Sequence, residues 1–234
     1  MHCQRRNEPF KRPGLSALSR WYAGQILAMK PDELREAIAF GREQRGVEFK
    51  GPGRRDNPDF MAKVARAILG MANTEDGGVV VLGVAEEGLK LVELGLGPDA
   101  AATWNHDHVH GWVQNYADPY VEFEVEIVVL DAKNFVAISV RPFDESPIIC
   151  KKDHQESKPK GSPSGSPSWT LRQGTLYYRG RGKNETVAVS NHVEMREILT
   201  GEPRRTSQAG RRAFTSSSTL LAPPRLLMCI RSWV

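Results

Sequence analysis

Residues 57–84, NPDFMAKVARAILGMANTEDGGVVVLGV, decide the fold. Asn57 is a candidate N-cap and Pro58 suits a first helical position. Phe60, Met61, Val64, Ala65, Ile68, Leu69 and Ala72 then recur as one apolar stripe at helical spacing. This helix must stop before the turn residues Asn73-Thr74-Glu75-Asp76-Gly77-Gly78. Val79-Val80-Val81-Leu82-Gly83-Val84 is a continuous apolar, β-branched run, the pattern of a strand covered on both faces. Upstream, Val47-Glu48-Phe49-Lys50 alternates apolar and charged between Gly46 and Gly51-Pro52-Gly53, a short strand between turns. Strand, helix and strand make a β-α-β unit.

Outward from that unit, two helices are expected before the first strand. One runs over 16–29, carrying Leu18, Trp21, Tyr22, Ile26 and Leu27; the other opens at Pro31 and ends near Gly41. Downstream, 89–94 reads as a short strand and 100–116 as a helix despite Gly111. Beyond Asp118-Pro119, Val121, Phe123, Val125, Ile127 and Val129 alternate with Glu122, Glu124 and Glu126, which predicts a strand with one solvated acidic face. A turn at 131–134 returns it as 135–140 in an antiparallel hairpin. Residues 175–179 regain strand character, and Asn191 with Glu194 reads as a capping box for a last short helix.

The segment 151–168, KKDHQESKPKGSPSGSPS, lacks apolar periodicity and reads as a flexible insertion. Residues 15–200 therefore read as one α/β domain, residues 1–14 as a mobile basic N-terminus and residues 201–234 as a disordered tail. At 234 residues, 40% hydrophobic and 26% charged, the chain can hold a core without staples. Its cysteines, Cys3, Cys150 and Cys229, are odd in number and form no C-x-x-C pair, so a zinc ribbon is excluded. No signal-type stretch opens the chain, and no apolar run approaches the ~18 residues of a membrane span. A reducing, cytoplasmic setting is the expectation. The formal charge of +4 is a property of the tail: 201–234 carries six arginines and one acid, which leaves the rest of the chain at −1. Any polyanion must therefore be held by local clusters.

Several segments together resemble the Schlafen AlbA-type domain. They are Glu43-Gln44-Arg45-Gly46-Val47-Glu48-Phe49-Lys50, the amphipathic helix, Ala72-Asn73-Thr74-Glu75-Asp76-Gly77-Gly78 and Val81-Leu82-Gly83-Val84-Ala85-Glu86-Glu87-Gly88. A late Tyr177-Tyr178-Arg179-Gly180-Arg181-Gly182 completes the order. The resemblance covers roughly residues 34–200 and departs from the compact form at Asp76 and at the 151–168 insertion. It implies a mixed β-sheet with flanking helices in a single domain, and a nucleic-acid-associated role with RNA or DNA as partner. In the Schlafen branch it further implies a metal-dependent endoribonuclease with three carboxylates, which fall here on Glu43, Glu48 and Glu86, glutamate standing where aspartate is commoner at the third.

The residues themselves allow that chemistry and a plainer one. Carboxylates around Mg or Mn can position a phosphate and activate water. Glu43 and Glu48 lie ~16 Å apart on an extended chain at ~3.3 Å per residue, so Gly46 must bend the backbone if both hold one ion. The alternative is a solvated Glu43 and a Glu48 paired with Lys50 or a neighbouring arginine. For binding, Lys50, Arg54 and Arg55 follow the first strand, and Gly51-Pro52-Gly53 could present backbone N–H groups to a phosphate. Arg172, Arg179, Arg181 and Lys183 surround Tyr177 and Tyr178, of which Tyr178 is taken as the stacking residue, the alternative being one core and one merely exposed tyrosine. His106 and His110, at i and i+4, could share a zinc or simply be a solvated helix start. No nucleotide cofactor is expected, because G-x-x-x-x-G-K-[ST] is absent and Gly77-Gly78 precedes a strand. A nucleic-acid-binding module leads these readings; the endoribonuclease and a protein-interaction module are the alternatives.

Overall fold

The computed structural model describes residues 28–40, 46–88, 90–157, 168–180 and 185–200. Residues 16–27 of the helix expected over 16–29, together with Glu43, Arg181, Lys183 and both termini, lie outside the described residues, and residues 28 and 29 are not helical. Helix α1 (Pro31–Ala39) starts on its proline, with Asp32 and Glu33 in the first turn. Strand β1 (Val47–Lys50) leads to helix α2 (Pro58–Ala72), whose Asn57 cap accepts from the amides of Asp59 and Phe60 at 3.1 and 3.2 Å. Strand β2 (Gly78–Leu82) lies parallel beside β1, pairing Glu48 with Val80 and Lys50 with Leu82. The hairpin β3 (Val84–Glu87) and β4 (Lys90–Glu93) follows.

The helix expected over 100–116 is divided into α3 (Pro98–Ala102) and α4 (His106–Gln114). Asn105 restarts the chain as a new N-cap, its side chain accepting from Asp107 N at 3.0 Å. Then come β5 (Ala117–Asp118), β6 (Phe123–Leu130), β7 (Lys133–Val140) and β8 (Ile149–Cys150). The segment read as a loop over 151–168 includes β9 (His154–Gln155), which pairs with β10 (Trp169–Leu171). Strands β11 (Tyr177–Tyr178) and β12 (Val187–Ala188) and helix α5 (His192–Thr200) complete the order. At the start of α5, Asn191 caps Val193 and Glu194, while Glu194 reaches back to Ser190 N at 2.9 Å.

The central sheet runs β1-β2-β7-β6, antiparallel except for the first pair. Period-two alternation divides it into two faces. Val80, Leu82, Val136 and Ile138 pack with α2. Val79, Val81, Phe135 and Ala137 pack with α1. Strand β6 keeps the alternation but not the expected single acidic face. Val128 and Leu130, on the same side as the glutamates, are buried in the α1 core, whereas Ile127 and Val129 are exposed. The cause is coverage: α4 covers the beginning of one face of β6 and α1 the end of the other.

The turn after α2 joins these layers. Asn73, 1% exposed, donates to the carbonyls of Ile148 (2.9 Å) and Tyr177 (2.8 Å) and accepts from Ile148 N (2.7 Å). The Thr74 hydroxyl lies 2.6 Å from Met71 O and 2.7 Å from Gly77 O. Gly77 sits at φ +70°, and a Cβ there would stand 2.2 Å from Val140 O, so only glycine fits. The Asn-Thr and Gly-Gly residues of this turn are thus structural ties between α2, β2 and the later strands.

Candidate nucleic-acid interface

Register places Glu48 on the α2 side of the sheet, opposite Val80, in a position that in an ordinary strand would be apolar. Its side chain is nearly fully buried. One carboxylate oxygen accepts from Arg179 Nη1 at 2.8 Å and from Thr186 Oγ1 at 2.7 Å; the other is 2.6 Å from Lys50 Nζ. Arg179, wholly buried, also donates from Nη2 to Val47 O at 3.0 Å. Gly46 O already accepts from Val79 N, so by alternation Val47 O faces the open edge of β1, and Arg179 closes that edge. Thr186 approaches because residue 70 is glycine: a Cβ there would lie 2.3 Å from the Thr186 methyl. Burial by itself pushes the Glu48 carboxyl up, but Lys50, the Thr186 hydroxyl and Arg179 outweigh it and hold the group below the ordinary carboxylate range.

This arrangement corrects several expectations. Arg179 is inside the protein and presents no surface to a phosphate. Tyr178 is 1% exposed, its hydroxyl donating to Glu197, and Tyr177 is 4% exposed, its hydroxyl accepting from Arg172 N; neither ring offers a stacking face. For Glu48 the structure takes the second of its two readings, a paired carboxylate. Glu86 does not converge with it. Glu86 shares its side of β3 with Val84 and lies opposite Leu91, both packed with the α1 core, whereas Glu48 points to the α2 side. Among the described residues no three His, Cys, Asp or Glu side chains are grouped to hold a metal ion. That also bears on His106 and His110. Their rings stack at 5.8 Å, and His106 has Glu124 at 3.7 Å, without a third ligand assembled.

The cations at the end of β1 remain at the surface. Lys50 is partly exposed beside Glu48. Arg54, half exposed, holds Asp56 through two nitrogens at 2.8 and 3.1 Å, and this hydrogen bonding keeps the Asp56 carboxyl below its usual range. Arg55 is anchored through Nε to Thr103 O at 3.1 Å, a neutral acceptor, and makes no ion pair among the described residues. Of the intervening glycines, Gly53 serves packing first. A Cβ on Gly53 would meet the Phe60 ring at 2.5 Å, and Gly53 O accepts from Trp104 Nε1 at 3.0 Å. Sequence reasoning missed Gly70 and Thr186; Thr186 lies 138 residues from Glu48, so no local spacing could have joined them.

A mixed four-stranded sheet with helices on both faces, its β1 edge closed by a buried glutamate–arginine pair, defines an α/β domain built round a strand–helix–strand unit. The chain belongs to the Schlafen AlbA family: the family model described as Schlafen, AlbA_2 matches residues 43–188. Among solved structures it is similar to the DIP2311 protein from Corynebacterium diphtheriae, at 17% identity and a TM-score of 0.44. That match covers 73% of this chain and 28% of that one, so the chain spans less than a third of that protein. It is also similar to the N-terminal domain of a RecG-related protein from Nitrosomonas europaea, at 20% identity and a TM-score of 0.40, covering 70% of this chain and 97% of that domain. No curated protein sequence matches the chain. Among the described residues no helix is long and apolar enough to cross a membrane.

Proposed function

We propose that this domain binds RNA or DNA by its phosphate backbone, through the cationic rim of Lys50, Arg54 and Arg55 at the end of β1, with Arg181 and Lys183 as further contacts. Family membership supports a nucleic-acid-associated role. The observation that carries the rim is Arg55: its guanidinium is oriented by a backbone carbonyl and makes no direct ion pair among the described residues, with Asp56 in electrostatic range but hydrogen-bonded by Arg54. Lys50 and Arg54 flank it on the same short segment, each with part of its side chain in solvent.

The three rim contacts alone contribute about −2.7 to the slope of log affinity against log salt on a duplex, or about a 40-fold loss between 50 and 200 mM, and contacts by Arg181 and Lys183 steepen it. Fluorescence anisotropy with labelled RNA and DNA duplexes across that range tests the reading. Arg54→Ala/Arg55→Ala should weaken binding and reduce the slope by about 2. Absent binding to both polymers, or affinity indifferent to salt, removes the proposal.

A further inference from the structure

Six of the fifteen described lysines and arginines, Arg35, Lys50, Arg54, Lys63, Arg141 and Arg179, make ion pairs with carboxylates. Lys151, Lys152 and Arg172 are exposed and make none among the described residues; each lies over an aromatic ring. Lys151 Nζ is 6.0 Å from the centre of Tyr120, Lys152 Nζ 5.9 Å from Tyr116, and the Arg172 guanidinium 5.9 Å from Trp169. These distances stand at the ~6 Å outer limit of cation–π attraction, so the heads are placed without being tightly held. Tyr120 is 75% exposed, an uncommon position for a large ring with no covering partner.

The backbone beneath this patch is well tied. Lys151 N donates to Tyr116 O at 2.9 Å, Cys150 N to Thr175 O at 2.9 Å, Gly174 N to Cys150 O at 2.7 Å and Gln173 N to the Asp153 carboxylate at 2.7 Å. Residues 151–153 and 172–174 therefore run side by side. Tyr116 is buttressed from within by Trp112, ring centres 4.5 Å apart. The nearby acids are Asp153, engaged by that amide, the exposed Asp118, and, on the other side of Tyr120, Glu122, which Arg141 pairs at 2.8 Å, with Glu124, Asp144 and Glu145.

We infer that Tyr120, Lys151, Lys152, Arg172 and Trp169 form a second surface, distinct from the β1 rim, that takes a single-stranded nucleic acid with a base on the open Tyr120 ring and phosphates on the three cations. The inference rests on the nucleic-acid reading above and adds the strandedness of the ligand. An acidic peptide would need the cations but gain nothing from an open ring; in a duplex the base faces are already stacked on one another. An unpaired strand offers bare π-faces and successive phosphates together, the combination that stacking platforms recognise.

The test uses the full chain with a labelled short oligothymidylate and, in parallel, a labelled duplex. Tyr120→Ala should weaken oligothymidylate binding about 5- to 10-fold or more, and Tyr120→Phe, which keeps the ring, should leave it within about 2-fold. Lys151→Glu/Lys152→Glu should weaken it further and lower the single-strand salt slope by about 1.4. Duplex affinity should not respond to Tyr120→Ala. If Tyr120→Ala and the charge reversal both leave oligothymidylate binding unchanged while Arg54→Ala/Arg55→Ala weakens duplex binding, this surface is wrong and the rim stands. If polyglutamate competes as strongly against the wild type as against Tyr120→Ala, and the ring makes no difference to the oligonucleotide, recognition is by charge alone and the single-strand assignment fails. Loss of all binding in the wild type removes both readings.

Discussion

Arg179→Ala is expected to destabilise the domain by about 3–5 kcal/mol, because it strips a fully buried carboxylate of its guanidinium partner and leaves Glu48 with Lys50 and one hydroxyl. It also removes the donor to Val47 O on the open edge of β1. Against a total stability of about 5–15 kcal/mol, that is a large share, and thermal melting followed by circular dichroism should fall by roughly 6–20 °C. Glu48→Leu/Arg179→Met should recover much of the loss, since apolar residues of similar volume often replace a buried ion pair at little cost. A single variant that melts with the wild type would mean the pair is not the closure of the β1 edge. The same site sets an acid limb. The folded Glu48 pKa is depressed, so its stabilisation is complete above the ordinary glutamate value of about 4.3 and disappears as pH falls through the lowered folded value. Urea titrations at successive pH values should show that loss in the wild type and a flatter low-pH limb in Glu48→Gln.

Asn73→Ala is expected to cost about 3 kcal/mol or more. It orphans the carbonyls of Ile148 and Tyr177 and the amide of Ile148, each a buried backbone group whose lost partner costs about 1–3 kcal/mol. Water cannot easily replace the amide, since Asn73 is 1% exposed. The local signature is as informative as the melting point: the Ile148 amide proton should exchange faster in the variant, because its acceptor is gone. Unchanged exchange at Ile148 together with unchanged melting would show that this asparagine does not join α2 to the later strands.

The strand–helix–strand unit was legible because its information is local. Asn57, Pro58 and the seven apolar positions after them specify α2 within a few turns, and the valine run specifies β2. The division of 100–116 into α3 and α4 was hidden because Asn105 reads equally as a helical residue or as a cap until Trp104 is seen reaching Gly53 O. The acidic alternation of β6 was read correctly as a strand but not for burial, since which half of each face is covered depends on helices elsewhere in the chain.

At the candidate site the same division holds. Local residue order was enough for the β-α-β unit, the family, the nearness of Lys50 to Glu48 two residues away, and the placing of Arg54 and Arg55 just beyond β1. The packing of distant segments settled the rest: Glu48 is closed over by Arg179 and Thr186, Glu86 stands on the separate β3–β4 hairpin, Tyr178 is core, and Tyr120 stands open beside Lys151. The reason is range. Helix and strand periodicity act between residues a few positions apart, whereas desolvation and ion pairing depend on which distant segments meet, and Arg179 meets Glu48 across 131 residues.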